Sequence, residues 1–420
     1  MSKTVSPARG FRDYPAALTM RREALLRTIR GVYAEHGFTE IATPVVEPIE
    51  RLRDSDGGEN VGMIFEIQRR GIGLDELRSA ASPHDLNDLG LRYDLTVPLA
   101  RFYATEHSRL PHVARLIQIG PVWRAEKPQK GRYRQFTQCD IDTIGEPGTL
   151  AEVELIVATL RALKAIGIAD AVVRLNDRRL LIGLLQSCGI SPDLFPPTLV
   201  IIDKLDKVGV EGVGLQLERL GIGQAARTLT QHLARFTESP GDVERFLETI
   251  GPAAEVPVAA VADHEAIMSS VEDLGYGASV RFDPSLVRGL GYYTGPIFEI
   301  EHEASGKSVG GGGRYDGMIG RFLKRDVPAC GFSLGFDRVL EIAPESVGQA
   351  DKRLALIYPR DAATSAVLRR QAVLIDQGFQ VTLMPRAKNM KRVFGEARAL
   401  GLSSYTLLDR SEISELPVDS

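Results

Sequence analysis

Five basic side chains crowd one short segment: Arg124, Lys127, Lys130, Arg132 and Arg134, with Glu126 among them and Trp123, Tyr133 and Phe136 close by. Guanidinium groups offer planar forks of N–H donors that match phosphate oxygens, and aromatic faces can stack on a flat ring. The combination suits a site that holds a polyphosphate joined to such a ring. A solvated basic hairpin would carry the same charges. Upstream, LRYDLTVPLA spaces Arg92, Asp94 and Thr96 by two, so on a strand they share one face and either line a pocket or meet water. Glycines 310–313 match neither GxxxxGK[ST] nor a GxGxxG after a strand, which sets aside P-loop and dinucleotide readings. They let a strand pass close under a ligand or another backbone, or form a flexible hairpin tip.

The elements that must position these residues follow from pattern. Leu116, Ile117, Ile119, Val122 and Trp123 read as a strand, Pro128 and Gly131 break a loop over 125–132, and a second strand carries Tyr133, Phe136, Gln138, Asp140 and Asp142. Ahead of them, 15–36 reads as a helix with Leu25, Ile29, Val32 and Tyr33 on one face and Gly37 as its cap. Ile41, Val45 and Val46 suggest a strand that Pro44 confines to an edge, a dimer surface or a protected edge. Segments 59–66 and 90–100 read as strands around a polar loop at 71–87. A helix over 149–166 opens with a capping box of Thr149 and Glu152.

A short strand at 172–175 precedes a stretch, 177–275, dominated by helical runs. Strand signals resume at Ser279 with SVRFD, YYTGPIFEIEHE and SVGGGGRYDGMIGRF, and ACGFSLGFDRVLEI passes from strand to helix near Arg338. From 354 onward the chain alternates as βαβαβ, a small parallel α/β unit, and ends in the polar SEISELPVDS, expected to fray. The expected division is 1–176 and 276–348 for two parts of one sheet domain, 177–275 for a helical insertion, and 353–420 for the α/β unit.

Composition narrows the function classes. The chain has 420 residues, 44% hydrophobic and 25% charged, ordinary for a globular protein of two or three domains. Its net charge of −4 means that any nucleic-acid contact must be local rather than global. The three cysteines are far apart and the seven histidines form no HxxxH pair, so no metal-binding residues are expected, and the cysteine usage fits a reducing cytoplasm. No apolar h-region opens the chain and no run is long enough to span a membrane.

Taken in order, the segments resemble the class II aminoacyl-tRNA synthetases, and within them the histidyl-tRNA synthetase family. IATPVVEP resembles the first motif, with Pro44 at a dimer interface; PVWRAEKPQKGRYRQF resembles the second and GFSLGFDR the third. RGLGYYTGPIFEI and GGGRYDGMIG resemble blocks particular to the histidine enzymes, and LRYDLTVPLARF their amino-acid-binding strand. The resemblance implies an α+β fold: an antiparallel sheet flanked by helices, with a helical insertion and a small C-terminal α/β domain of the anticodon-binding type. It implies ATP with Mg2+, histidine and tRNA(His) as ligands, a cytoplasmic homodimer, and activation of histidine as its adenylate before transfer to tRNA.

The resemblance also implies roles. Arg124 and Arg288 are the catalytic cations. Arg124, Glu126, Phe136 and Arg338 bind ATP. Asp94, Thr96, Gln138, Asp142, Arg288, Tyr292 and Tyr293 bind histidine, and Lys127, Gln129, Lys130 and Arg132 meet the tRNA acceptor end. Two departures stand out. Gly291 replaces an acid usual before the tyrosine pair, and the chain stops short of the last strand and helix of a full anticodon-binding domain. Two alternatives stay open: an amino-acid-activating paralogue serving a carrier other than tRNA, which the shortened C-terminus allows, and the non-catalytic, histidine-sensing regulatory subunit of ATP phosphoribosyltransferase, which typically erodes the catalytic arginines that are all present here.

Overall fold

The expected basic hairpin forms between β5 (Ala114–Trp123) and β6 (Gln135–Ile144), in unbroken antiparallel register from Ala114 opposite Ile144 to Trp123 opposite Gln135. The computed structural model describes residues 5–54, 58–127, 133–239, 241–252, 254–288, 291–302, 306–345, 347 and 352–417. The chain forms two compact units, one of residues 8–11 and 31–342, the other of 1–7, 12–30 and 343–420.

The larger unit is built on an eight-stranded sheet. β1 (Thr39–Glu40) lies at one edge, parallel to β5; beyond β6 come β11 (Ala329–Gly335), β10 (Lys307–Arg314), β9 (Pro296–His302), β7 (Ala171–Asp177) and β8 (Val280–Phe282). The pairs from β5 to β7 are antiparallel; β7 and β8 run parallel. α5 (Leu150–Ala165) buries Leu155, Ile156 and Leu163 completely, as its apolar stripe requires. Period two on β6 turns Gln138, Asp140 and Asp142 to one face and Cys139 and Ile141 to the other.

A second sheet of three antiparallel strands joins β2 (Val46–Pro48), β4 (Asn87–Leu91) and β3 (Phe65–Gln68). Thus the 39–48 segment divides between two sheets, with β1 and β2 each at an edge. α2 (Ile49–Arg53) follows β2, and the expected polar loop contains α3 (Leu74–Ser79). Between β7 and β8 the chain is helical: α6 (Arg178–Ser187), α7 (Phe195–Ile202), α8 (Leu205–Arg219), α9 (Gly223–Glu238), α10 (Val243–Ile250) and α11 (Val258–Asp273).

Four expectations in this unit are corrected. Most of the strand expected over 59–66 is a 3-10 helix, Gly58–Met63, and β3 begins only at Phe65. The strand expected over 90–100 stops at Leu91, and α4 (Thr96–Glu106) begins instead. Asp94 Oδ1 accepts the Val97 amide at 3.1 Å, satisfying one of the orphan donors of a helix start, and Pro98 falls in the first turn where its missing N–H costs nothing. The capping box at Thr149 does not form: the Thr149 side chain makes no cap bond, because Glu152 is buried against Arg314. The strand expected through GMIGRF ends at Arg314. Met318 and Ile319 are buried on α12 (Asp316–Leu323), which follows it and packs on α4.

The smaller unit includes the first part of α1 (Ala16–Glu35). Its sheet runs β13 (Gln380–Pro385), β12 (Arg353–Tyr358), β14 (Ser404–Leu407), β15 (Ser414–Glu415). β13, β12 and β14 are parallel, linked through α14 (Thr364–Asp376) and α15 (Met390–Ala399). Residues 411–417 are more ordered than the composition of the polar tail suggests. β15 pairs antiparallel with β14, and Leu416 is buried in the cluster that includes Ile357, Val393 and Ala397.

Candidate active site

A cavity of about 400 Å³ opens over the middle of the large sheet, on the β6 face that carries Gln138, Asp140 and Asp142. Three arginines line it from three separate parts of the chain. Arg124 follows β5, and its Nε donates to the Tyr93 carbonyl at 3.0 Å while its guanidinium stands 5.1 Å from the Phe136 ring centre. Arg338 sits in the first turn of α13 (Phe336–Ile342) and donates through Nη1 to the Ser308 carbonyl at 2.7 Å. Asp337 beside it accepts the Thr137 amide at 2.7 Å, tying α13 to β6. Arg288 donates through Nη1 to Glu299 Oε2 at 3.2 Å, and its Nε is buried with no partner among the described residues.

Arg288 lies directly over β10. A Cβ at Gly311 would collide with the Arg288 guanidinium, and one at Gly312 would collide with the Gly331 carbonyl. The glycine run therefore passes both under a cavity-lining side chain and against another backbone, the close-approach reading of the sequence.

The other end of the cavity is acidic. Asp94, Gln138, Asp140 and Asp142 are all buried. Asp94 Oδ2, Gln138 Oε1 and Asp140 Oδ1 have no hydrogen-bond partner among the described residues. Gln138 Nε2 donates to Ser333 Oγ at 2.6 Å, and the Tyr315 hydroxyl donates to Asp142 Oδ1 at 2.5 Å. Burial pushes Asp94 up to about 6, against the Val97 amide and the charge of Arg124. Burial likewise pushes Asp142 up to about 7; the Tyr315 hydroxyl opposes the shift and the charge of Asp94 adds to it. Asp140 is raised well above the carboxylate range by burial, with the charge of Asp142 adding. Buried acceptors without donors are costly. A ligand cation bearing several N–H groups would relieve that cost.

Arg124, Glu126, Phe136, Arg338, Asp94, Thr96, Gln138, Asp142, Arg288, Tyr292 and Tyr293 all line this one cavity. Lys127 is exposed and lies outside the lining; Gln129, Lys130 and Arg132 fall outside the described residues. Arg92 does not share the pocket face with Asp94. It is buried elsewhere, donating to the carbonyls of Thr43 at 2.9 Å and Pro121 at 3.0 Å, because the chain leaves β4 before Asp94 and period two no longer applies.

Sequence reasoning missed several lining residues. Asp140 continues the period-two face of Gln138 and Asp142, so the signal was present. Tyr315, Glu299 and Ser333 come from strands or turns whose register no local pattern reveals. Val200, Asp203 and Lys207 reach the cavity from α7 and the start of α8. Among the described residues no group of three His, Cys, Asp or Glu side chains could hold a metal ion, and no helix is long and apolar enough to cross a membrane.

Residues 10–339 match the family model described as Histidyl-tRNA synthetase. The histidine–tRNA ligase of Leifsonia xyli is 48% identical over 418 residues, covering 97% of this chain and 96% of the relative. That of Aeropyrum pernix is 40% identical over 344 residues, covering 81% and 74%. Among solved structures, histidyl-tRNA synthetase from Nostoc sp. PCC 7120 superposes with a TM-score of 0.74 at 27% identity, over 96% of this chain and 91% of that one. A Bacillus halodurans chain described as an ATP phosphoribosyltransferase regulatory subunit/histidyl-tRNA synthetase gives the same TM-score at 20% identity, over 97% and 98%, a likeness of fold alone.

Proposed function

This chain belongs to the histidyl-tRNA synthetase family, and from that premise we propose how its residues divide the reaction. As a histidine–tRNA ligase it activates histidine and charges tRNA with it. The family uses ATP; the finer reading is that ATP enters this cavity with Mg2+, which would come in with the nucleotide and supply positive charge to its phosphates, since no group of three acids, histidines or cysteines among the described residues could hold an ion. In the first step the histidine carboxylate attacks the α-phosphorus, the bond to the β-phosphate oxygen breaks, and pyrophosphate leaves. In the second, a ribose hydroxyl at the tRNA 3′ end attacks the acyl carbon and AMP departs.

The first step gathers negative charge around phosphorus, and preorganised cations are the chief means of stabilising it. Arg124 grips the α-phosphate and Arg288 bridges it to the incoming carboxylate. Arg338 takes the far phosphates. Phe136 stacks on adenine, and Glu126 orients that side. The observation that carries the amino-acid half is the set of partnerless buried acceptors at Asp94, Gln138 and Asp140, which complements an α-ammonium group. Thr96 borders them. Asp142, with Tyr292 and Tyr293, reads the imidazole. A site of buried polar groups rejects apolar isosteres because they would leave those groups unpaired.

The exposed Lys127, with Gln129, Lys130 and Arg132, meets the tRNA acceptor end. Dimerisation through the first-motif segment is supported by two edge strands there, β1 and β2. A cytoplasmic setting is supported by three buried cysteines that form no disulfide. The segment 177–275 is proposed as an insertion into the catalytic domain, and 353–420 as the anticodon-binding part. A relative named as a ligase at 48% identity favours this reading over the sensing subunit, whose likeness is of fold.

Histidine-dependent exchange of pyrophosphate into ATP tests activation, and transfer of labelled histidine to tRNA tests charging. Absence of exchange with Mg2+ and histidine overturns the reading. Exchange without transfer to tRNA makes the acceptor another carrier. Arg288→Ala should reduce exchange by at least about 100-fold, since a contact made in the transition state is worth about 3 kcal/mol.

A further inference from the structure

On three neighbouring strands, one residue each from β7, β9 and β10 falls in a row across the sheet. Arg174 pairs in register with Glu299, and Glu299 with Gly311. Directly opposed residues share a face. Gly311 leaves room for Arg288, Glu299 Oε2 accepts from Arg288 Nη1 at 3.2 Å, and Glu299 Oε1 accepts from Arg174 Nη1 at 3.4 Å. The row thus ends on the arginine assigned to the α-phosphate.

Arg174 is buried and has two further partners. Its Nε donates to Asp283 Oδ2 at 2.7 Å, and its Nη1 donates to Asp206 Oδ2 at 2.7 Å. Asp283 Oδ1 in turn accepts the amide and hydroxyl of Ser285, at 2.9 and 2.6 Å, and Asn176 donates to the Leu286 carbonyl at 3.0 Å. The segment leading into Arg288 is therefore pinned to β7.

Asp206 comes from the helical segment. It stands in the first turn of α8, next to Lys207, which lines the cavity. Gly209, at φ 69° and ψ 174°, breaks that turn from the rest of the helix. The Arg174 Nη1 group is thus shared: close to Asp206, longer to Glu299. If Asp206 withdraws, Arg174 is left to close on Glu299 and draw it from Arg288.

We propose that Arg174 is a positioning residue for Arg288, and that Asp206 is the contact through which the helical segment between β7 and β8 sets the geometry of adenylate formation. The proposal rests on the reading of Arg288 as an adenylation residue. Movement of the first turn of α8, whose Lys207 borders the cavity, then changes how firmly Glu299 holds the catalytic guanidinium.

Asp206 is 64% exposed, so its variants should fold. Asp206→Asn should lower kcat for histidine-dependent ATP–pyrophosphate exchange about 3- to 10-fold while both KM values stay within about twofold, the pattern of an interaction expressed only in the transition state. Asp206→Glu should restore most of the rate. Combined with Glu299→Gln, Asp206→Asn should add little to the loss caused by Glu299→Gln alone, because the two act in one network. Unchanged or faster exchange in Asp206→Asn, a loss confined to KM, or fully additive losses would each overturn the proposal. A wild-type chain without exchange would overturn the functional reading along with it; a wild type that exchanges, matched by Asp206→Asn, sinks the positioning role alone.

Discussion

The Tyr315 hydroxyl donates to Asp142 Oδ1 at 2.5 Å, across 173 residues of sequence. Both side chains are buried, and a hydrogen bond to an ionised acceptor of this kind is worth about 1.5–3 kcal/mol. The tyrosine holds the carboxylate in place and favours its charged form. Tyr315→Phe should therefore raise the KM for histidine by about 10-fold or more, with the KM for ATP little changed. Exchange kinetics at varied histidine and saturating ATP check this; an equal rise for both substrates would place the damage in the whole site.

The acids of the cavity make the ligand-free protein sensitive to pH. Burial raises Asp142 to about 7 and Asp94 to about 6, above the unfolded value near ~3.9. Over that interval the folded state binds more protons than the unfolded state, so stability falls as pH rises. From these two groups the contribution should be fully present below about pH 4, decline as pH rises through about 6 and 7, and be lost above that. Urea unfolding of the ligand-free protein between pH 5 and 8, compared with Asp142→Asn, measures the contribution: the variant should show a shallower slope.

Glu152 and Arg314 form a buried pair, with Nε to Oε1 at 2.6 Å and Nη2 to Oε2 at 2.8 Å. Arg314 also donates to the Glu146 and Gly148 carbonyls, at 3.2 and 2.9 Å, so one guanidinium holds the turn before α5 and the helix itself. Removing Glu152 leaves the Arg314 guanidinium, as carboxylate partner, only the longer contact to Asp316 at 3.4 Å, and breaking a buried pair of this kind costs up to about 3–5 kcal/mol. Glu152→Ala should lose that much in a denaturant titration. Thr149→Ala should be nearly silent, because its side chain caps nothing.

Gly311→Ala and Gly312→Ala should differ in kind. A methyl at 311 collides with the Arg288 guanidinium and comes within 2.6 Å of the Phe298 carbonyl; at 312 the main obstacle is the backbone of β11. If Arg288 acts as proposed, the first should cost exchange about 100-fold by displacing its guanidinium, and the second should act chiefly on stability. Exchange rates set beside melting temperatures separate the two.

Much of this was legible in the linear chain because its signals are local. The hairpin around Arg124 announces itself by alternation and breakers, and Gln138 and Asp142 share a face by the two-residue period of a strand. The family motifs are runs of adjacent residues. Local pattern failed where a distant group competed. Arg92 and Asp94 separate because the chain leaves β4 at Leu91 and turns toward α4, whose Val97 amide the Asp94 carboxylate accepts. Glu152 leaves its capping role for an arginine 162 residues away.

Residue types, strand and helix periods, and the ordered motifs with their arginines were determined by the sequence alone, since each depends on neighbours within a few positions. Only the tertiary structure decided which acceptors would be buried without donors, which tyrosine would meet Asp142, and that Gly311, Glu299 and Arg174 stand in one row beneath Arg288. Those facts depend on register between strands far apart in the chain, and a shift of one residue would turn every one of those side chains to the opposite face.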